Sequence, residues 1–154
     1  MVVNSAQKDR NNLLKNLQGA IIDFGERYTV LREMENGFVI STGMRFYDRK
    51  PVIILVSGIG ANMCVVSDNG LTKSRIGHSE IPAQALAIRD DIISRYKDVH
   101  ESDGELYVPS SFKLLHAALP MLTSAMLTVD AASIAARHIM PEYTTVHSLE
   151  TVAV

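Results

Sequence analysis

The strongest constraint in this sequence is a long apolar run near its C-terminal end. From Leu114 to Ala136 the chain reads LLHAALPMLTSAMLTVDAASIAA, without a lysine or an arginine. A helix of this length would span a bilayer, but a carboxylate in lipid is costly and Asp130 lies inside the run. His116 and Pro120 add to the polar or helix-bending positions. The run therefore predicts a helix buried within the protein or at an interface, and no membrane span.

A region of strands and turns lies upstream of this run. Asn36-Gly37 predicts a tight hairpin turn with positive φ angles. VIILV, from Val52 to Val56, is continuously apolar and β-branched, which is typical of a central strand covered on both faces. MCVVS, from Met63 to Ser67, is the next strand. Three strands joined by short turns predict an antiparallel meander.

Helical periodicity stands on both sides of the strands. Apolar residues at helical spacing predict a first helix over residues 8–26 and a later one over 81–99, and the apolar run supplies a helix that ends near 137–138. The predicted fold is α+β: an N-terminal helix, a three-stranded antiparallel meander, then two or three helices packed on the sheet. Residues 1–140 form a single domain in this prediction, and residues 141–154 form a C-terminal tail or an additional edge strand.

The apolar helix also predicts association. Apolar residues occur nearly all round it, so most of its sides must be buried. One small sheet and two further helices offer too little surface to bury all of them. We therefore expect a second copy or another protein to bury part of it. The residues predicted to form this self-association surface are Leu115, Ala118, Leu122, Ala125, Met126 and Val129.

Composition narrows the classes of partner and compartment. A formal net charge of −2 over 154 residues gives no general attraction to nucleic acid or to anionic membranes. The one cysteine, Cys64, excludes an internal disulfide and a cysteine-based zinc cluster, and the five histidines include no pair at the i, i+4 spacing of a helical zinc site. The first residues lack an apolar core of signal-peptide length, so we expect a cytoplasmic protein.

The middle of the chain resembles a known family. Residues 37–72, GFVISTGMRFYDRKPVIILVSGIGANMCVVSDNGLT, contain a strand, a turn with Asp48, a second strand, and a third strand that ends in a Ser-Asp-Asn-Gly turn before a helix. With DGELYV at 103–108 and the apolar final helix, this layout resembles the small bacterial and phage family known as domain of unknown function eighteen-twenty-eight. The resemblance implies an α+β domain from phage-linked and mobile-element contexts, and it implies no established activity.

The turns raise a choice between chemistry and structure. Asp48 and Asp68, with Glu105 as a third ligand, would suit a divalent metal that positions water for phosphodiester cleavage. The strand MCVVSDNG lacks the lysine that restriction-type nucleases carry there to stabilise developing charge. In the simpler interpretation Asp68 caps the following helix, while Asn69 and Gly70 adopt left-handed backbone angles.

The sequence therefore predicts a non-enzymatic binding protein without cofactor or metal. We expect a protein partner, which the family resemblance places in a host, and a homodimer; nucleic acid and membrane are not expected partners. The turn residues Asp48, Asp68, Asn69 and Gly70 are the candidate binding residues. The alternative is a divalent-metal-dependent phosphodiesterase or nuclease that uses Asp48 and Asp68.

Overall fold

The computed structural model describes residues 5–23, 28–77 and 83–153. Along these ranges, four α-helices and one 3-10 turn are combined with six strands. The elements in chain order are α1 (Ser5–Asp23), β1 (Thr29–Met34), β2 (Gly37–Arg45), β3 (Pro51–Gly60), β4 (Met63–Ser67), α2 (Leu71–Gly77), α3 (Ala83–Arg95), β5 (His100–Ser102), β6 (Glu105–Ser111), the 3-10 turn (Phe112–Leu114) and α4 (Leu115–Ala153).

The strands form one antiparallel sheet in the order β1-β2-β3-β4-β6-β5. The predicted α+β class is confirmed, but the meander of three strands is a sheet of six. Two of the added strands, β5 and β6, form a hairpin across Asp103 and Gly104, whose φ angles are 52° and 81°. Positive φ at both turn positions is the geometry that a two-residue hairpin favours.

The hairpin between β1 and β2 differs in detail from its prediction. Glu35 and Asn36 form the turn, Met34 pairs with Gly37, and neither Asn36 nor Gly37 has a positive φ. Glycine is needed at 37 for another reason: a Cβ there would lie 2.0 Å from the carbonyl oxygen of Val56. The close approach of β3, rather than the turn, therefore requires this glycine.

The core lies between one face of the sheet and the helices. Alternate strand residues such as Phe38, Ile54 and Val66 are fully buried there. The six residues predicted as a self-association surface belong to this core, because each is no more than 4% exposed within the chain itself. That prediction is corrected: β6, which lies beyond the predicted strands, packs on α4 together with β4 and the other three helices. The residues concerned are Leu115, Ala118, Leu122, Ala125, Met126 and Val129.

Helix boundaries also differ from the sequence-based expectation. The backbone of α4 continues to Ala153, so residues 141–153 extend this helix instead of forming an edge strand. The first and third helices overlap their predicted ranges, 8–26 and 81–99, although 24–26 and 81–82 lie outside the described residues. The assignment of residues 1–140 to a single domain stays a prediction.

One stretch of the described chain is long and apolar enough to cross a membrane. Phe112–Ala135 has a mean hydropathy of 1.4 over its most apolar window, and 50% of that window is buried inside the fold. The core helix of a soluble protein gives the same signal. This stretch is therefore weak evidence for a span.

Candidate functional site

The turn after β4 is built around the carboxylate of Asp68. This carboxylate is 1% exposed and accepts three backbone N–H groups: Gly70 at 2.8 Å, Thr72 at 3.1 Å and Leu106 at 2.9 Å. Asn69 and Gly70 have φ angles of 52° and 77°, in the left-handed region. The Asp68 carboxylate therefore caps the N-terminal end of α2 and links this helix to β6, as the simpler interpretation of this turn expects.

Glu105 reaches the same turn through a serine. Its carboxylate accepts a short hydrogen bond from the hydroxyl of Ser67, and that hydroxyl in turn accepts the N–H of Asn69 at 2.9 Å. The pairing of Ser67 with Tyr107 brings the start of β6 beside the end of β4. Glu105 thus supports the turn that Asp68 organises.

Asp48 belongs to a different cluster. It lies in the turn between β2 and β3 and accepts a hydrogen bond from the Arg75 guanidinium at 3.1 Å. That hydrogen bond is the main cause that lowers the pKa of the Asp48 carboxyl below its usual range. Asp48 also accepts the backbone N–H of Lys50 at 3.2 Å, which closes the turn.

Arg75 connects this turn to α4. Its guanidinium donates to both carboxylate oxygens of Asp130, at 2.8 and 3.1 Å, and lies 3.8 Å from the centre of the Phe46 ring. The side chains of Arg75 and Asp130 are 12% and 7% exposed. Burial lowers the pKa of Arg75, but its interactions with Asp130 and Asp48 outweigh burial and raise that pKa. One charged side chain therefore holds the β2–β3 turn, α2 and α4 together.

These contacts leave no open carboxylate cluster at the predicted metal site. Asp68 is saturated by backbone donors, whereas Asp48 is paired with Arg75. Among the described residues, no group of three or more His, Cys, Asp or Glu side chains is placed to hold a metal ion. The metal-dependent nuclease stays a prediction that draws no support from these contacts.

The strands carry apolar side chains on both faces, but the described helices cover only one of them. In β3, Val52, Ile54 and Val56 are buried, whereas Ile53 and Leu55 are partly exposed. The expectation that VIILV is covered on both faces is therefore wrong. The second face holds residues of the kind that a neighbouring layer normally buries.

We call this surface the open face. Residues directly opposite one another on paired strands point to the same side of a sheet, so strand register defines its central row. Val39, Val65 and Tyr107 are partly exposed on it, and Tyr107 stacks on His100 with ring centres 5.5 Å apart. The central row crosses all six strands through Arg32, Val39, Leu55, Ser67, Tyr107 and His100.

A groove of about 580 Å³ occupies one end of the open face. Val39, Ile53 and Leu55 give it an apolar lining, and the exposed cations Arg32 and Lys50 also line it. A second cavity, of about 320 Å³, adjoins the groove at the β2–β3 turn and contains the Arg75 ion pairs. Because those charges are already paired, the larger groove is the better candidate for a ligand.

The predicted turn residues are divided between these two cavities. Asp68, Asn69 and Gly70 line the groove, while Asp48 lines the smaller cavity. Sequence reasoning missed the groove residues Ile53 and Leu55, although the apolar run that contains them was the signal. A strand that is apolar at every position but covered on one side exposes half of those positions.

Comparisons with protein-family models, with curated proteins and with solved structures found no match to this chain. The family resemblance stays a prediction.

Proposed function

We propose that the chain is a non-enzymatic protein-binding domain whose recognition surface is the open face. The observation that carries this proposal is the burial pattern of β3, which is apolar on both sides and buried on one. Apolar area removed from water contributes about 25 cal/mol per Å². Covering side chains such as Ile53 and Leu55 with a partner therefore contributes favourably to the free energy of binding.

The size of the open face suits a specific interface. Six strands about 4.8 Å apart, with five to ten residues in the four central ones, give a projected area of roughly 600 Å². With an equal area from a partner, the total buried surface reaches about 1,200 Å², the lower end of the range for a specific complex. Met34 and Met63, at 40% and 41% exposed, extend the apolar area on one side of the central row. Methionine adapts its shape to a partner more readily than a branched side chain does.

Two further elements of the proposal come from the sequence. The family resemblance gives the partner class: a host protein that meets a phage or mobile-element product. The second element is homodimerisation, which was predicted from α4. The six α4 residues named for it are core residues, so the proposed dimer interface is the open face instead. A second copy and a host protein are then two occupants of the same surface.

Site-specific photo-crosslinking tests the proposal. A benzoylphenylalanine is placed at Leu55 or Val65 on the open face, and at Ala117 on the exposed side of α4 as the matched control. The labelled protein is irradiated in a cell extract, and adducts are identified by mass spectrometry. We expect a discrete adduct from both open-face positions and none from Ala117.

The mass of the adduct identifies the occupant as a second copy or another protein. Adducts that form at Ala117 and not at the open-face positions would return the interface to α4 and refute the proposal. Circular dichroism of each labelled protein controls for misfolding.

A further inference from the structure

We infer that the segment seated in the open-face groove is an acidic amphipathic helix of a partner protein. This inference rests on the proposed function and specifies the chemistry of its ligand. The groove combines an apolar lining of Val39, Ile53 and Leu55 with the two cations Arg32 and Lys50. An occupant that matches it needs an apolar stripe flanked by carboxylates.

The charges around the groove are unbalanced. Arg10, Arg75, Arg89 and Arg95 each pair with a carboxylate, whereas within the described residues Arg32 has no ion pair. Among the described residues that line the groove, Asp68 carries the one carboxylate, which is 1% exposed and accepts three backbone N–H groups.

Two more carboxylates lie outside the lining. Asp48 is ion-paired with Arg75, and Glu105 accepts a hydrogen bond from the neutral hydroxyl of Ser67. Within the lining, the two exposed cations outnumber the one carboxylate, which is buried, so the groove surface is positive and charge complementarity selects an acidic segment.

The backbone of the sheet indicates a helical occupant. On the face of a sheet, the N–H and C=O groups of the central strands are used in the ladders on either side. An extended peptide lying there would find few backbone partners, whereas a helix satisfies its own backbone groups. Docking an amphipathic helix on the open face therefore buries apolar area without leaving polar groups unpaired.

Strand geometry sets the spacing of the acidic groups. Arg32 is level with Leu55, through Val39, whereas Lys50 precedes β3, five positions from Leu55 and two strands away from Arg32. Five strand positions span about 16 Å and two strand spacings about 10 Å, so the two cation positions are about 19 Å apart. On a helix, residues eleven positions apart lie on one side and are about 16.5 Å apart. Carboxylates about three turns apart, with leucines between them on the same side, fit this span.

Two synthetic helical peptides of 18 residues test the inference by fluorescence polarisation. Both carry the same leucine stripe, and the flanking positions eleven apart hold glutamate in one and lysine in the other. We expect the glutamate peptide to bind the full-length protein at least tenfold more tightly than the lysine peptide. The preference should weaken in high salt, because exposed charge contacts are screened.

Charge-reversal variants locate the effect. The double variant Arg32→Glu with Lys50→Glu should reverse the preference between the two peptides. The matched control, Arg95→Glu with Lys97→Glu, makes the same change of net charge on exposed residues of the helix side and should leave the preference unchanged. All four positions are exposed, so each variant is expected to fold.

The outcomes separate the inference from the proposed function. Equal binding of both peptides that is lost in Leu55→Lys would overturn the acidic specificity and leave the open face as a binding surface. Tighter binding of the lysine peptide, or binding of neither peptide, would also overturn the inference. Binding that survives Leu55→Lys places the peptide elsewhere and counts against both.

Discussion

Replacement of Asp68 by alanine tests how the turn after β4 is held. The substitution removes the acceptor of three backbone N–H groups, from Gly70, Thr72 and Leu106. The N–H groups of Thr72 and Leu106 lie in buried surroundings, and a buried donor without a partner costs about 1–3 kcal/mol. The Gly70 N–H is better placed to reach water. The loss of the cap of α2 is part of the same cost, so we expect about 3–5 kcal/mol less stability.

Urea unfolding followed by circular dichroism measures this loss. A domain has about 5–15 kcal/mol of stability in total, so the variant should remain folded without denaturant but unfold at much lower urea. Asp68→Asn should cost only about 1–2 kcal/mol, because its amide oxygen still accepts the Gly70 and Leu106 N–H groups. Asp90→Ala, at a side chain that is 62% exposed, is the control and should stay within about 0.5 kcal/mol of the unmodified protein.

A loss below about 1 kcal/mol in Asp68→Ala would refute the structural role given to this carboxylate. If the variant were stable and had also lost an activity, the carboxylate would be a ligand, as the metal hypothesis requires. Either conclusion requires a cooperative transition in which the slope of unfolding free energy against urea concentration is unchanged. A changed slope reports an altered compactness of the folded or unfolded state instead.

Further variants and a thiol-labelling experiment test other parts of the account. Arg75→Ala leaves the largely buried Asp130 unpaired and should cost about 3 kcal/mol, most of which Arg75→Met combined with Asp130→Leu should recover in urea titrations. Gly37→Ala should cost about 1–3 kcal/mol because its Cβ meets a backbone oxygen of β3, whereas Gly19→Ala, inside α1 with nothing within 4 Å, should add about 0.5–1 kcal/mol in thermal melts. Burial raises the pKa of Cys64 to about 12, so a thiol reagent at pH 8 should label it only after unfolding; rapid labelling of the folded chain would contradict this. Because the unfolded thiol ionises near pH 9.0 and the folded one does not, stability should fall as the pH rises above that value.

Local chemistry made the turns and helices predictable. The Asp68-Asn69-Gly70 turn takes the left-handed angles that its residue types favour, and helical periodicity located α1 and α3. The hairpin of β5 and β6 was missed because β5 has three residues, too few to show an alternation. The Asp103-Gly104 dipeptide was the available signal for it.

Long-range packing explains what the sequence did not reveal. The sequence of an apolar helix shows that its side chains must be buried, but not which elements bury them. Within this chain the inner side of α4 is already buried, so no second copy is needed there. The same ambiguity made β3 look covered on both faces. The bond between Arg75 and Asp130 joins residues 55 positions apart, and no local pattern reports such a pair.

The most direct test of the central claim is the rate at which a thiol at position 55 reacts with a labelling reagent. In the purified protein Leu55→Cys should react readily, while native Cys64, which is 0% exposed, should not. Once the cross-linked partner has been identified and added, labelling at position 55 should slow at least tenfold, and Ala117→Cys on α4 should be unaffected. If position 55 is as protected as Cys64 in the isolated chain, or reacts equally fast in the complex, the open face does not bind the partner.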